Sequence, residues 1–215
     1  MKNLILASNS PRRRELIRLL GLPFEVTPAD IDESRRPGEP PVDYVKRLAC
    51  EKAEAIASIK SGLILAADTI VVDGNELLGK PIDEADARRM LVQLGGRVHQ
   101  VYTGIALVDT GSGKNYNSVC CTDVPMREYS DEEINAYIDT GDPLDKAGAY
   151  AIQHAGFHPV VRLNGCYASV MGLPLCHVAV GLRRFGVQPS ASLPADCQSL
   201  LEYQCPVYQE ILGSA

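Results

Sequence analysis

The segment from Leu63 to Val72 constrains the fold of this chain more than any other. It reads LILAADTIVV, so it is apolar except for Asp68 and Thr69 at its middle. A continuous apolar run of this length, followed by the turn signal Asp73-Gly74, predicts a buried strand that enters a hairpin. A carboxylate inside such a strand is costly to bury unless it is paired or has a function. Asp68 is therefore the first candidate functional residue; the alternative is a structural aspartate bonded to backbone amides.

Turn and capping signals divide the rest of the chain into helices and strands. They predict further strands at residues 3–7, 98–108, 116–124, 149–152 and 160–163, and helices at residues 10–20, 42–59, 83–94, 130–140 and 174–185. Because these elements alternate without a strict βαβ rhythm, we expect an α/β fold with a mixed sheet. The composition changes at residues 189–194, so we divide the chain into a body, residues 1–186, and a C-terminal extension, residues 187–215.

The first predicted helix starts at Ser10-Pro11, directly after a strand, and carries three arginines in its first turn. A helix N-terminus presents free backbone N–H groups and binds anions. Cations at this end disfavour the helix by roughly 0.3–1 kcal/mol each, so Arg12 and Arg13 make sense there if an anion offsets them. At most two of the three arginines can share one ligand, since successive helical residues point about 100° apart. The alternative is a set of solvated arginines.

On the predicted second helix, an apolar stripe extends from Val45 to Ile56, and Lys52 interrupts it. A lysine in such a stripe must extend to solvent, pair with a carboxylate or face a cleft. Lys80, after the hairpin, is a candidate partner of Asp68 or a candidate phosphate ligand.

An acidic pair, Asp32-Glu33, lies in the loop before the second helix. Carboxylates on loops suit Mg²⁺ or Mn²⁺, which take oxygen ligands and usually share them with substrate phosphates; a solvated turn is the alternative. Residues 111–114, GSGK, lack the first glycine and the closing Ser/Thr of a P-loop. Cationic groups, one buried acid and an acidic loop fit metal-assisted hydrolysis of a phosphate anhydride better than covalent catalysis.

The charge balance and the apolar runs exclude some partners. The 215 residues carry a formal net charge of -6, which argues against a nucleic-acid-binding protein. No apolar stretch approaches the roughly 18 residues of a membrane span, and the N-terminal apolar run is too short for a signal peptide. We therefore expect a cytoplasmic protein with no membrane partner. The seven cysteines show no C-x-x-C spacing, which favours free thiols.

Several motifs, in this order, resemble the Maf family of nucleoside triphosphate pyrophosphatases. They are AS-x-SPRR-x-EL from Ala7, Asp32-Glu33, RLA-x-x-KA from Arg47, ADT from Ala67, GKP from Gly79, H-x-VYTG from His99, DKAGAY-x-IQ from Asp145 and GLP from Gly172. The match extends from about residue 4 to residue 185. The resemblance implies a mixed, elongated sheet flanked by helices, with two lobes around a central cleft, as in the inosine triphosphatase-like proteins.

The resemblance also implies an activity and a set of site residues. Family members hydrolyse a nucleoside triphosphate to the monophosphate and pyrophosphate with a divalent metal, Mg²⁺ or Mn²⁺, and homodimers are expected by analogy. Asp68 would be the general base and, with Glu33, would bind the metal. The triphosphate would be held by Ser8, Arg12, Arg13, Lys52 and Lys80.

Three positions separate the branches of the family. The branch that acts on dTTP and UTP typically has Arg, Thr and Gln where this chain has Arg12, Thr69 and Gln153. The branch that acts on 7-methyl-GTP usually has Gln in place of Thr69. Because a Gln amide has a donor and an acceptor, Gln153 can pair with the edge that uracil and thymine share. The resemblance therefore favours dTTP and UTP, with Thr69 and Gln153 as further substrate-binding residues.

Two other functions remain alternatives. One is a nucleotide-binding regulator of septum formation, from which the family takes its name; it needs the phosphate site but no competent base. The other is a thiol or metal-binding module built on Cys176, His177, Cys197 and Cys205.

Overall fold

A mixed six-stranded sheet forms the centre of the computed structural model, which describes residues 2–213. Its strands are β1 (Leu4–Leu6), β2 (Phe24–Val26), β3 (Leu63–Asp73), β4 (Glu76–Leu78), β5 (Val98–Asp109) and β6 (Lys114–Pro125). They lie in the order β2-β1-β3-β5-β6, with β4 beside β3. β1 is parallel to β2 and β3, whereas β4 and β5 are antiparallel to β3 and β6 is antiparallel to β5. The predicted α/β class with a mixed sheet is confirmed.

Helices pack on both faces of this sheet. They are α1 (Pro11–Arg18), α2 (Pro41–Ala57), α3 (Glu84–Leu94), α4 (Asp131–Ile138), α5 (Tyr167–Val170), α6 (Leu175–Arg184), α7 (Leu193–Leu200) and α8 (Tyr208–Gly213). The predicted caps form as expected. Ser10 accepts from the backbone N–H of Arg13 at the start of α1, and Ser130 with Glu133 makes the capping box of α4.

The alternation of side chains along β3 assigns each face of the sheet to its helices. Leu63, Leu65 and Ala67 belong to a core cluster shared with α1 and α6, whereas Ile64 and Ala66 pack with α2. Since side chains alternate along a strand, Asp68 continues the α2 face and Thr69 the opposite face. Two neighbouring polar residues are thereby presented to two different layers of the fold.

A separate hydrophobic cluster lies at the far end of the sheet. It joins α3 and α4 to Val71, Val101 and Val124 of the strands and to Tyr150 and Phe157 of the following loops. The two clusters give the body two lobes, with a cleft between them, as predicted.

The strands predicted at residues 149–152 and 160–163 are wrong. A short 3₁₀ helix, Ala147–Ala149, ends at the first, and the second forms only an isolated bridge between Met126 and Val160. Ala149 and Arg162 have φ of 59° and 50°, which is incompatible with an extended strand. The first of these loops lines the cleft.

The C-terminal extension forms α7 and α8, which the sequence did not predict. Leu193 is fully buried in the first core cluster, and Leu201 and Leu212 pack against it. The extension therefore lies on the body; the boundary at residue 186 stays a prediction. Within residues 2–213, no helix is long and apolar enough to cross a membrane.

Candidate active site

The cleft lies where one edge of β3 has no neighbouring strand. On this side β1 pairs with β3 up to Leu65, and β4 begins only opposite Val71. Residues 66–70 therefore leave their edge open, and both faces of the strand border the gap. The cleft has a volume of about 650 Å³. Asp68 and Thr69 both lie in its wall, although their side chains point to opposite faces of the sheet.

Asp68 is a buried carboxylate held by a buried ammonium. Its Oδ1 accepts a hydrogen bond from Lys52 Nζ at 2.7 Å, and both side chains are about 90% buried. The same Nζ lies 2.7 Å from Oε1 of Glu33, whose side chain is 57% exposed. Burial raises the pKa of the Asp68 carboxyl above its ordinary value, and Lys52 opposes this shift. Asp68 is thus a more basic carboxylate than one in water, with a cation that favours its ionised form.

The partner of Asp68 is Lys52, not Lys80, and close packing of α2 on the sheet explains why. In β5, Gly104 pairs with Asp68, and a Cβ at Gly104 would lie 2.4 Å from the carbonyl oxygen of Val45 in α2. Only glycine allows α2 to lie this close to the strands, two turns before Lys52. Lys80 lies in the wall of the cleft and is exposed.

Arg13 is fixed by three different segments of the chain. Its Nη1 donates to Ser8 Oγ at 3.2 Å, its Nη2 to Thr69 Oγ1 at 3.1 Å, and its Nε to the carbonyl oxygen of Gly172 at 2.8 Å. None of these partners is an acid, so the positive charge remains available to a ligand. Burial lowers the pKa of the Arg13 guanidinium, and the charge of Asp68 opposes the shift. An arginine without a carboxylate partner in a cleft wall is suited to bind an anion.

A directed series of hydrogen bonds continues behind Arg13. Thr103 donates its hydroxyl hydrogen to the carbonyl of Ser169 at 2.8 Å, so the 3.0 Å bond between Thr69 and Thr103 must be donated by Thr69. The hydroxyl hydrogen of Thr69 is thus committed to Thr103, and its oxygen accepts from Arg13. Thr69 was predicted to bind substrate, and the structure places its hydroxyl between the Arg13 guanidinium and the Thr103 hydroxyl.

Three predicted ligands remain without partners. Within residues 2–213, the side chains of Arg12, Lys80 and Gln153 make no hydrogen bond or ion pair. All three line the cleft that contains Asp68 and Arg13. The structure thus brings all nine predicted site residues into one opening; the protein already engages six of them, and three have no partner among residues 2–213.

Sequence reasoning missed two groups in this cleft. One is the backbone carbonyl of Gly172, a residue with φ of 102° at which a Cβ would lie 3.2 Å from Thr69 Oγ1 and 3.3 Å from Arg13 Nε. The other is Tyr150, buried in the cleft wall with its hydroxyl 2.8 Å from Nε2 of His99. Both residues belong to the motifs quoted above, but spacing alone does not reveal a carbonyl ligand or a pair 51 residues apart in sequence.

The carboxylates of Glu33 and Asp68 fit a hard divalent cation. Both reach a single ammonium, that of Lys52, so they converge on one cationic position. Tyr44 donates to the backbone carbonyl of Glu33 at 2.9 Å and anchors this loop to α2. Within residues 2–213, no three side chains among His, Cys, Asp and Glu form a metal site. A cation at the cleft would therefore take its other ligands from substrate phosphates and water, as Mg²⁺ commonly does.

The same result leaves the module of Cys176, His177, Cys197 and Cys205 without structural support: these residues form no metal site among residues 2–213, and all the cysteines are free thiols. What the fold and the cleft do define is a site that combines a buried carboxylate with a fixed guanidinium in one cleft, an arrangement suited to an anionic ligand. Comparison with known proteins agrees. The family model described as Maf-like protein matches residues 3–185. The chain belongs to this family, as its motifs predict.

Curated relatives share most of the chain. A dTTP/UTP pyrophosphatase of Anaeromyxobacter dehalogenans (strain 2CP-1 / ATCC BAA-258) is 51% identical over 185 residues, which cover 85% of this chain and 94% of that protein. Proteins of the same name from Citrifermentans bemidjiense and Hahella chejuensis are 50% and 47% identical, over 86% and 87% of this chain and 98% and 94% of theirs. The branch predicted from Arg12, Thr69 and Gln153 agrees with these names.

Two solved structures are similar at low identity. A dITP/XTP pyrophosphatase from Mycobacterium abscessus is 15% identical with a TM-score of 0.42, covering 86% of this chain and 97% of that one. A HAM1 protein from Coxiella burnetii is 18% identical with a TM-score of 0.46, covering 94% of this chain and 100% of that one.

Proposed function

We propose that this protein hydrolyses dTTP and UTP to the monophosphate and pyrophosphate, with Asp68 as the general base. The observation that carries the proposal is the placement of one buried, paired carboxylate in the same cleft as a guanidinium that has no acidic partner. The names of the relatives at about 50% identity support the same reaction and substrates.

The reaction transfers the nucleotidyl group to water. The water oxygen attacks the α-phosphorus, the bond from this phosphorus to the bridging oxygen of the β-phosphate breaks, and pyrophosphate leaves with the electron pair. The water proton passes to Asp68, whose pKa is raised by burial, so that it accepts a proton more readily than a solvated aspartate. Lys52 holds the carboxylate ionised and oriented before the attack.

The cations of the cleft act on the charge of the leaving group. Arg13, already oriented, binds the triphosphate, and Ser8 contributes its hydroxyl beside it. Lys80 and Arg12, which have no partner in the protein, close on the phosphates when the nucleotide arrives. These groups neutralise the triphosphate when it binds and the negative charge that the pyrophosphate carries away.

A divalent cation, Mg²⁺ or Mn²⁺, belongs to this proposal as the group held by Glu33 and Asp68. When bound, it supplies charge neutralisation on the phosphate oxygens. The chain's own part is to hold two carboxylates at one point of the cleft, one from the loop before α2 and one from β3.

Base preference rests on Gln153 and Thr69. Gln153 has a free amide in the cleft wall, able to donate to and accept from the edge that uracil and thymine share. Thr69 acts indirectly, since its hydroxyl is already engaged with Arg13 and Thr103. We further propose a homodimer acting in the cytoplasm; sedimentation of the purified protein tests the first point.

A nucleotide panel with Mg²⁺ or Mn²⁺ tests the proposal directly. We expect TMP or UMP and pyrophosphate in equal amounts, with dTTP and UTP preferred over 7-methyl-GTP. Gln153→Ala, which removes the amide, should reduce the preference for pyrimidine nucleotides and leave the products unchanged. Release of orthophosphate and a nucleoside diphosphate, or a strong preference for 7-methyl-GTP, would contradict the proposed function.

A further inference from the structure

The C-terminal extension lies beyond the part of the chain that the family model matches, which ends at residue 185. It packs on the body through Leu193, which is 1% exposed, and through Val207 and Leu212. Between α7 and α8, a short loop carries Tyr203. Gln198 holds this loop: its backbone carbonyl accepts from the N–H of Tyr203 at 3.1 Å and its Oε1 from the N–H of Cys205 at 3.0 Å.

The Tyr203 hydroxyl contacts the body at three backbone atoms. It accepts from the N–H of Gly165 at 3.2 Å, and its single hydrogen points to the carbonyl oxygens of Leu163, at 3.0 Å, and Gly165, at 3.1 Å. The ring lies beside that of Tyr167, with centroids 5.5 Å apart. On the other side, Gly165 is closed in by β6, because a Cβ there would lie 2.8 Å from Thr122 Cγ2. The hydroxyl therefore fixes the start of a segment pressed against the sheet.

This segment, residues 163–173, leads straight to the cleft. Successive backbone hydrogen bonds run through α5: the N–H of Met171 donates to the carbonyl of Tyr167, that of Gly172 to Ser169 and that of Leu173 to Ala168. Near the end of the segment, the carbonyl of Gly172 accepts from Arg13 Nε at 2.8 Å. A displacement at Gly165 is thus transmitted to the wall that orients the guanidinium.

We infer that the C-terminal extension positions Arg13 for the triphosphate, with Tyr203 as the positioning residue that holds segment 163–173 in place. Tyr203 touches neither the cleft nor a substrate, and it acts through the carbonyl of Gly172. A tyrosine suits this role because one hydroxyl both donates and accepts, which matches the carbonyls and the N–H group it meets. The inference gives the extension a function in the body's own site.

The test compares Tyr203→Phe with Tyr208→Phe. The first removes the hydroxyl and keeps the ring on Tyr167; the second removes a hydroxyl of the same extension whose one hydrogen bond within residues 2–213 comes from Gln209 Nε2 at 3.1 Å. We expect Tyr203→Phe to raise KM for dTTP about fivefold, the effect of one lost net hydrogen bond, with kcat within about twofold. Amide hydrogen exchange of residues 163–173 should become faster in this variant only. Tyr208→Phe should match the wild type in both measurements.

A double-mutant cycle with Arg13→Lys separates positioning from general destabilisation. Lysine retains the charge but lacks the Nε–H that Gly172 accepts, so Tyr203→Phe should add no further rise in KM in that background. An equal rise in both backgrounds, or the same KM for Tyr203→Phe and Tyr208→Phe, would overturn the inference. If Tyr203→Phe folds poorly, Gln198→Leu, which frees the loop at Cys205, is expected to give the same pattern. Only the kinetic arms rest on the proposed function, because hydrogen exchange reports on the segment even in a protein that hydrolyses no nucleotide.

Discussion

Two sets of polar groups line the cleft, and they are held differently. The first set, which we name the fixed side, already has partners: Lys52 with Asp68 and Glu33, and Arg13 with Ser8, Thr69 and Gly172. The second set, which we name the free side, consists of Arg12, Lys80 and Gln153, whose side chains have no hydrogen-bond or ionic partner among residues 2–213. The fixed side costs no ordering when substrate binds, whereas each long side chain of the free side must be immobilised. The comparison teaches that the base and the orientation of the triphosphate belong to the fixed side, and that further capture and selection of the nucleotide belong to the free side.

The largest expected effect is on the fixed side, at the base. Asp68→Asn keeps the volume and an oxygen for Lys52 but cannot accept the water proton, so we expect kcat to fall about 1,000-fold. KM should change little, because the cations remain. The measurement is steady-state pyrophosphate release, with Asp123→Asn, a substitution on β6 away from the cleft lining, as the matched control. Unchanged turnover in Asp68→Asn would remove the proposed mechanism and favour a binding or regulatory function of the same site.

The next effect, also on the fixed side, separates charge from orientation. Arg13→Lys preserves the positive charge and loses the fork that engages three segments at once. We expect kcat/KM to fall about 30-fold, corresponding to about 2 kcal/mol, the range of a hydrogen bond to a charged group. Arg14→Lys is the control, since the Arg14 side chain donates to Asn9 Oδ1 at 2.9 Å and lies outside the cleft lining. A loss no larger than that of the control would mean that charge alone, and not the fixed geometry, binds the triphosphate.

The fixed side was partly predictable from the sequence. Asp68 and Lys52 stand out because each interrupts an apolar pattern, which makes a buried charge visible without coordinates. That they pair with each other was not predictable, because it depends on the contact of α2 with the sheet at Gly104. The hydrogen bond from Arg13 to the carbonyl of Gly172 joins residues 159 positions apart. It was not predictable, because a pattern of side chains gives no information on which backbone carbonyl will accept.

On the free side, Gln153 was predictable only through the resemblance to the Maf family, whereas Arg12 and Lys80 were candidate phosphate ligands from their places at a helix N-terminus and after a hairpin. Lys80 and Gln153 are exposed polar residues in loops, where their type and spacing are ordinary. Local pattern failed outright at residues 149–152 and 160–163, because positive φ at Ala149 and Arg162 bends chain that is otherwise apolar enough for strands. Such loops owe their conformation to tertiary contacts and not to local preference.

A smaller effect is expected on the free side. Lys80→Met removes one mobile ammonium, and we expect KM for dTTP to rise about tenfold with kcat within about threefold, since the residue captures phosphate and has no structural partner. The thermal midpoint should stay at the wild-type value. Lys114→Met, at the first residue of β6, is the control for lost positive charge. A fall in kcat with unchanged KM would show that Lys80 acts in the chemical step, as Asp68 does, and would break the division between the two sets.

The smallest effect on activity concerns His99, which supports Tyr150 in the cleft wall. Burial lowers the pKa of His99 to about 4, and its Nδ1 has no partner among residues 2–213, so the folded protein disfavours the charged ring. As pH falls from about 6.5 to about 4, the unfolded chain takes up a proton that the folded protein does not, so this group costs about 3 kcal/mol of stability by the end of that window. His99→Gln should remove this part of the pH dependence, measured as the difference in unfolding free energy from the wild type at each pH, whereas the exposed His158→Asn should keep it. If the unfolding free energies of wild type and His99→Gln changed with pH in parallel, His99 would accept its proton as readily in the folded protein as in the unfolded chain, and burial beside Tyr150 would not disfavour the charged ring.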